Sequence, residues 1–260
     1  MLLYRPSRAV RALYSPRGAW YARGITQGRY QPVTVKERFL RYVAIDTGAS
    51  EASGTHPSTE KQWALARLLA DELTAMGAQE VRVSPLCYVY ATIPANVEGQ
   101  PAIGLIAHMD TAPAVPTGPV KARAVRYEGG DLDIGNGVVM REAAFESLAR
   151  HRGHELIVTD GTTLLGGDDK AGVAVIMTAA ARLIADRAIL HGPVRVLFTV
   201  DEEIGRGIEG LDFNKLGGVC GYTLDSSGAG IVDCETFSAD QATIVVTGVN
   251  SHPSEAKAKG

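Results

Sequence analysis

From Thr34 onward the hydrophobic positions fall into a regular order. Val35, Phe39, Tyr42 and Val43 recur at helical spacing and predict a short helix over residues 35–45. Residues 50–57 are small and polar, a loop, and Ser58 or Thr59 then stands where it can cap a second helix. The stripe of that helix is Leu65, Leu68, Leu69, Leu73 and Met76, and Gly77 sits where a helix end favours glycine. Strand-like runs follow at 80–83 and 88–93. The run IGLIA (103–107) is apolar without a break and leads into His108, the pattern of a strand buried on both faces of a parallel-rich sheet. Residues 112–155 are rich in Gly, Pro and charge and offer one helix around 142–150. Order returns at 163–167. A helix with Val173, Ile176, Ala180, Leu183 and Ile184 on one face comes next, then strands at 194–200, 220–224 and 242–246. Strands alternating with helices predict an α/β fold, a mixed, largely parallel sheet flanked by helices.

Composition changes this picture at one end only. The first 33 residues hold six arginines and no acid, the balance of an organellar transit peptide or of a disordered, non-native extension. They carry no apolar stripe and are set apart from the fold. The expected organisation is an extension at 1–33, a catalytic domain at 34–240 and the first part of a further domain at 241–260. Elsewhere the chain is ordinary: 45% hydrophobic, 21% charged, formal net charge -3. That balance gives no reason to expect a nucleic-acid partner. Cys87, Cys220 and Cys234 show no paired spacing and read as reduced thiols of a cytoplasmic protein. No apolar run approaches the roughly 20 residues that a membrane helix needs.

Acids and histidines gather at the ends of the predicted strands. His108-Met109-Asp110 follows IGLIA, Asp201-Glu202-Glu203 follows VRVLFTV, and Asp225 follows CGYTL. Asp168-Asp169-Lys170 follows LLGG and precedes a helix. Ligands bind at the carboxyl ends of strands in open α/β sheets, so these segments could deliver their side chains to one spot. Taken singly each has a blander reading: Asp-Asp-Lys as a capped helix start, Asp-Glu-Glu as a solvated loop, HxD as chance. Four such coincidences in one domain are improbable. Two zinc ions fit the donor types, because zinc accepts imidazole and carboxylate, and a metal pair can activate a water while polarising a carbonyl. Adjacent Glu202 and Glu203 point in different directions, so one can bind metal while the other moves a proton. Asp110 can hold the His108 ring.

Five ordered segments carry a resemblance: AHMDTAP (107–113), TDGTTLLGGDDKAGVA (159–174), FTVDEEIGRG (198–207), YTLD (222–225) and SHPSEAK (251–257). Together they resemble the peptidase T family, the tripeptide aminopeptidases among the co-catalytic zinc peptidases, from near Thr34 to the last residue. The resemblance implies that His108 binds one zinc, Asp168 bridges both, Glu203 binds the second and Asp225 the first. It implies Glu202 as general base, Asp110 as the acid supporting His108, a cis peptide after Asp168, and His252 as a substrate-holding residue of the lid. Its substrate would be a small peptide, and the full-length protein could form a homodimer through the lid domain.

The departures from the pattern also matter. The family's second zinc takes a final histidine from near the C-terminus of a longer chain, whereas this sequence stops at Gly260. His56, His151, His154 and His191 lie outside the motifs. Gly167 stands where alanine is usual, Ser226-Ser227 where glycines are, and Ser254 where HPG is. The expectation is therefore an incomplete chain, weakly active or inactive by itself, holding one zinc firmly and the other poorly. Three other readings stand beside it: a related metallo-carboxypeptidase or N-acyl amino-acid deacylase, a degenerate non-catalytic homologue, or a metal-free binding module whose acids only cap helices.

Overall fold

A computed structural model describes residues 25–26, 29–30, 33–226, 228, 230–234 and 242–248. Within the first 33 residues β1 (Ile25–Thr26) and β2 (Arg29–Tyr30) pair antiparallel, a short ribbon that the sequence pattern does not announce. The next element, α1 (Val35–Val43), starts at a reciprocal cap. The Thr34 hydroxyl accepts the Glu37 N–H at 3.2 Å, and the Glu37 carboxylate accepts the Thr34 N–H at 2.8 Å.

The second helix, α2 (Gln62–Met76), corrects an expectation. Neither Ser58 nor Thr59 caps it, and its N-terminus has no side-chain cap. The Ser58 N–H and hydroxyl go instead to Asp201, and the Thr59 hydroxyl donates to the Gly48 carbonyl at 2.7 Å. At the other end Gly77 takes φ +93°, the left-handed conformation that an L side chain adopts only at a cost.

The main sheet comprises β3 (Gln79–Val83), β4 (Val89–Ile93), β5 (Ile103–His108), β10 (Val194–Thr199) and β11 (Cys220–Thr223). Its order is β11-β5-β10-β4-β3. The sheet is mixed: β11, β5 and β10 run parallel to one another, while β4 pairs antiparallel with both β10 and β3. The helices α2 and α4 (Gly167–Ala185) pack on this sheet, and α1 packs on α4. Leu65, Leu69 and Leu73 from α2 meet Val173, Ile176 and Met177 from α4 and the strand residues Val89, Ile93, Val196 and Phe198, all buried. Each such side chain stabilises the fold by ~1.5–3 kcal/mol relative to leaving it exposed.

Residues 112–155 hold more order than expected. Strands β6 (Arg123–Arg126) and β9 (Glu155–Val158) pair antiparallel, and β7 (Leu132–Gly135) and β8 (Val138–Met140) form a hairpin across Asn136-Gly137. Both hairpin residues have positive φ, +50° and +76°, as a two-residue turn of this hand requires. The helix expected around 142–150 shrinks to α3 (Glu146–Ala149). Tyr127, Leu132, Ile134, Leu148, Leu156 and Val158 form a small core of their own. After Thr199 come a single 3-10 turn, Glu202–Ile204, and the short α5 (Phe213–Leu216).

The chain divides into two compact units, Met1–Ser226 and Ser227–Gly260, earlier than the expected division at 240/241. In the second unit the strand expected at 242–246 does not form. Ile244, Val245 and Val246 are exposed, and no strand lies among that unit's described residues to pair with them.

Candidate metal centre

Sheet register brings three of the predicted loops level with one another. In the parallel pairing of β5 and β10, Thr199 lies beside His108, and in that of β5 and β11, Thr223 lies beside Ile106. His108 therefore stands at the end of the middle one of the three parallel strands, with Asp201 to Glu203 just past one neighbour and Asp225 just past the other. Asp168 arrives from the start of α4, which packs against β5.

The side chains converge. His108 Nε2 is 2.8 Å from Asp168 Oδ1 and 3.7 Å from Asp225 Oδ2. One donor atom from each of these three residues lies within 4.8 Å of the others. Glu202 Oε2 is 3.8 Å from the same His108 nitrogen. The histidine side chain is 2% exposed, whereas Asp168 is 68%, Glu202 51% and Asp225 28% exposed. A buried imidazole thus presents one nitrogen to a rim of solvent-facing carboxylates. The Asp168–Asp169 peptide is cis.

Asp110 ties two of the loops together. His108 Nδ1 lies 3.1 Å from the Asp110 carbonyl and 3.4 Å from its carboxylate, which leaves Nε2 facing the acids. The Asp110 carboxylate also accepts the N–H groups of Glu202 at 3.0 Å and Glu203 at 3.1 Å. One buried acid thereby sets both the ring and the turn that carries the glutamates.

The electrostatics register an excess of acid. Burial and the nearby Asp168 push the Asp225 carboxyl up to about 6. Burial, with Asp168 beside it, also raises Glu203. Burial raises Asp169 to about 8, opposed by His108 and reinforced by Asp225. His108 itself is pushed up to about 10: burial disfavours its charge, but Asp110, Asp169 and Asp168 together outweigh burial. Acids crowded round one imidazole cost energy as like charges, a cost that a divalent cation at the same spot relieves. One imidazole nitrogen with two carboxylate oxygens at this spacing is a donor set that suits zinc, bound at ~2.0–2.2 Å from each atom.

Two buried carboxylates appear in the sequence only as members of acidic runs. Asp169 accepts the His108 N–H at 3.1 Å and the Gly172 N–H at 3.0 Å. Asp201 faces the 56–62 segment. Lys170, also buried, donates to the Ile45 carbonyl at 2.7 Å, and burial lowers it to about 8. None of His56, His151, His154 and His191 joins the cluster of donor atoms. His252 lies outside the described residues. No helix among the described residues is long and apolar enough to cross a membrane.

Comparison with known proteins gives the chain relatives. Residues 154–225 match the profile of the peptidase family M20/M25/M40. The chain is 47% identical over 227 residues to peptidase T of Geobacillus thermodenitrificans, covering 86% of this chain and 55% of that protein. It is 50% identical over 230 residues to peptidase T of Desulfitobacterium hafniense, covering 87% and 56%. Among solved structures, aminopeptidase PepT from Bacillus cereus superposes with a TM-score of 0.52 at 26% identity, over 75% of this chain and 43% of that one. The chain spans about half the length of the curated relatives that it matches. Residues 154–225 thus carry the profile of the M20/M25/M40 peptidase family, and the chain is similar to peptidase T over 86–87% of its own length.

Proposed function

We propose that this chain carries the catalytic site of a cytoplasmic zinc aminopeptidase that cleaves the N-terminal bond of tripeptides. The observation that carries the reading is the meeting of His108, Asp168 and Asp225 at one end of three parallel strands, with Glu202 3.8 Å from the same nitrogen. In this reading His108 and Asp225 would hold one zinc and Glu203 a second, with Asp168 as a ligand shared by the two. When bound, the ions supply Lewis acidity, which lowers the pKa of a water and polarises the scissile carbonyl.

The chain's own groups do the rest. Asp110 keeps a proton on His108 Nδ1 and so keeps Nε2 available as a ligand. Glu202, half exposed and anchored through its amide to Asp110, takes the proton of the attacking water and returns it to the leaving amine. His252 would hold the substrate carbonyl, and residues 241–260 would begin a lid through which a homodimer forms. Among the described residues the donor cluster holds one histidine, His108.

The test pairs zinc analysis with hydrolysis. Glu202→Gln should leave zinc content unchanged and lower tripeptide turnover by orders of magnitude, measured on a protein extended to the length of the relatives. Zinc binding unaffected by His108→Ala would refute the ligand assignment. Faster release from N-acetyl amino acids than from tripeptides would favour the deacylase alternative.

A further inference from the structure

The segment 47–62 touches both ligand-bearing loops. At one end the Ala49 N–H donates to the Thr111 carbonyl at 3.0 Å and the Thr111 N–H to the Thr47 carbonyl at 3.3 Å, just beyond Asp110. At the other end it surrounds Asp201, the residue before Glu202. The Ser58 N–H donates to Asp201 Oδ2 at 2.7 Å, and the Ser58 hydroxyl and the Gln62 amide donate to Oδ1 at 2.5 and 2.6 Å. His56 Nδ1 lies 3.2 Å from Oδ2. Gln62 also accepts the Asp201 N–H at 3.3 Å. The carboxylate is fully buried, and its backbone takes φ +56°.

Asp201 therefore cannot serve as a ligand while these bonds stand, because both oxygens are occupied by the 56–62 segment. What it can do is hold the chain. Its two successors donate their amides to Asp110 on the far side of the turn, and the Arg206 N–H closes the turn onto the Asp201 carbonyl at 2.9 Å. Arg206 further donates to the carbonyls of Ser53 and Thr55, so the two segments are joined at several points. We infer that Asp201 is a positioning residue: by tethering the turn to Ser58 and Gln62 it fixes the direction in which the Glu202 and Glu203 carboxylates leave the chain. The inference rests on reading those glutamates as site residues.

The chemistry selects aspartate. A carboxylate accepts from several donors at once, whereas an asparagine amide would turn an N–H₂ toward Ser58 or Gln62, which are donors themselves. Glycine would keep the left-handed backbone and lose every acceptor. Asp201→Asn and Asp201→Gly both tolerate positive φ, so together they separate the carboxylate from the backbone conformation. Ser58→Ala and Gln62→Met remove one donor each and serve if the position-201 variants do not fold.

The experiment is amide hydrogen exchange on the full chain, read at residues 202–203 and at the β10 residues 196–198, beside zinc affinity by chelator competition. The expected result is exchange at 202–203 at least tenfold faster in Asp201→Asn and Asp201→Gly, with β10 unchanged and zinc bound at least tenfold more weakly. Ser58→Ala and Gln62→Met should move the same amides by a smaller factor. Protection at 202–203 that survives in every folded variant overturns the inference. So does an equal rise at 202–203 and throughout β10, which marks a general loss of stability. A wild-type chain that binds no zinc sinks the metal reading alone, and the exchange data then decide whether Asp201 holds the turn.

Discussion

The backbone N–H of His108 donates to the carboxylate of Asp169 across 3.1 Å. The neighbour of one site acid thus anchors the strand end that carries the site histidine. Its other oxygen accepts the Gly172 N–H at 3.0 Å, so a single buried side chain joins β5 to the first turn of α4. Asp168 and His108 are thus linked through the residue that follows Asp168.

Gly172 is where this junction should prove least tolerant. A Cβ there would lie 2.2 Å from Asp169 Oδ1 and 2.4 Å from the Leu224 carbonyl, the residue before Asp225. Neither neighbour is the free end of a flexible chain. Gly172→Ala should cost ~1–3 kcal/mol, the usual range for overpacking a closed site. It should also weaken zinc binding by displacing Asp225. Urea unfolding with chelator competition checks both, and an unchanged midpoint with unchanged affinity would count against the junction.

The strand ends were legible in the sequence for a physical reason. An unbroken apolar run such as 103–107 predicts a strand, so the first polar residue after it, His108, marks the edge where ligands gather; Glu202 and Glu203 follow the mostly apolar and buried strand 194–199, and Asp225 follows the shorter, exposed strand 220–223. Local pattern fails where a side chain serves a distant partner. Ser58 before an apolar helical stripe looks like a cap, yet it binds Asp201, 143 residues away. The short strands within 123–158 are three or four residues long, too few to show alternation. The Asn136-Gly137 pair flanked by apolar residues was the usable sign of that hairpin. At 242–246 the apolar run is present, but alternation alone does not supply a pairing partner.

Between α1 and α2 sits a buried charge network independent of the site. Glu72 Oε2 accepts Arg38 Nη1 at 2.6 Å and the Tyr42 hydroxyl at 2.7 Å, while Oε1 meets Arg41 at 2.7 Å. Arg38 and Glu72 are both buried. Glu72→Ala would leave the Arg38 guanidinium buried without its counter-charge, a loss of roughly 3–5 kcal/mol. Denaturant unfolding measures it, and a change below 1 kcal/mol would contradict the burial of the pair. Zinc affinity should not move in the folded fraction.

Asp110→Asn tests the other shared support. The substitution keeps the volume but replaces one acceptor oxygen by a donor, opposed to the N–H of Glu202 or Glu203. It also removes the charge that faces His108 Nδ1. Losing a partner of this kind lowers metal affinity by about 10–100-fold in metal sites generally. Chelator competition should show a loss in that range, and an affinity within twofold of wild type would remove Asp110 from its role.

Zinc uptake should release protons, with a sign fixed by the site. His108 is pushed up to about 10 by Asp110, Asp169 and Asp168 acting against burial, so in the metal-free chain it carries its proton at pH 7. The ion needs Nε2 without a proton, and binding must displace it. Raising the pH toward 10 weakens that competition, so apparent affinity rises with pH, by about tenfold per unit where one proton is displaced. Below about 6, where the Asp225 carboxyl also begins to hold a proton, a second displacement makes the fall steeper. Titration calorimetry at pH 7.5 in buffers of different ionisation enthalpy should find about one proton released per zinc. The release should vanish in His108→Ala, whatever residual binding that variant keeps. No proton release from the wild-type chain, or an affinity flat between pH 7 and 9, would mean that zinc does not bind through His108.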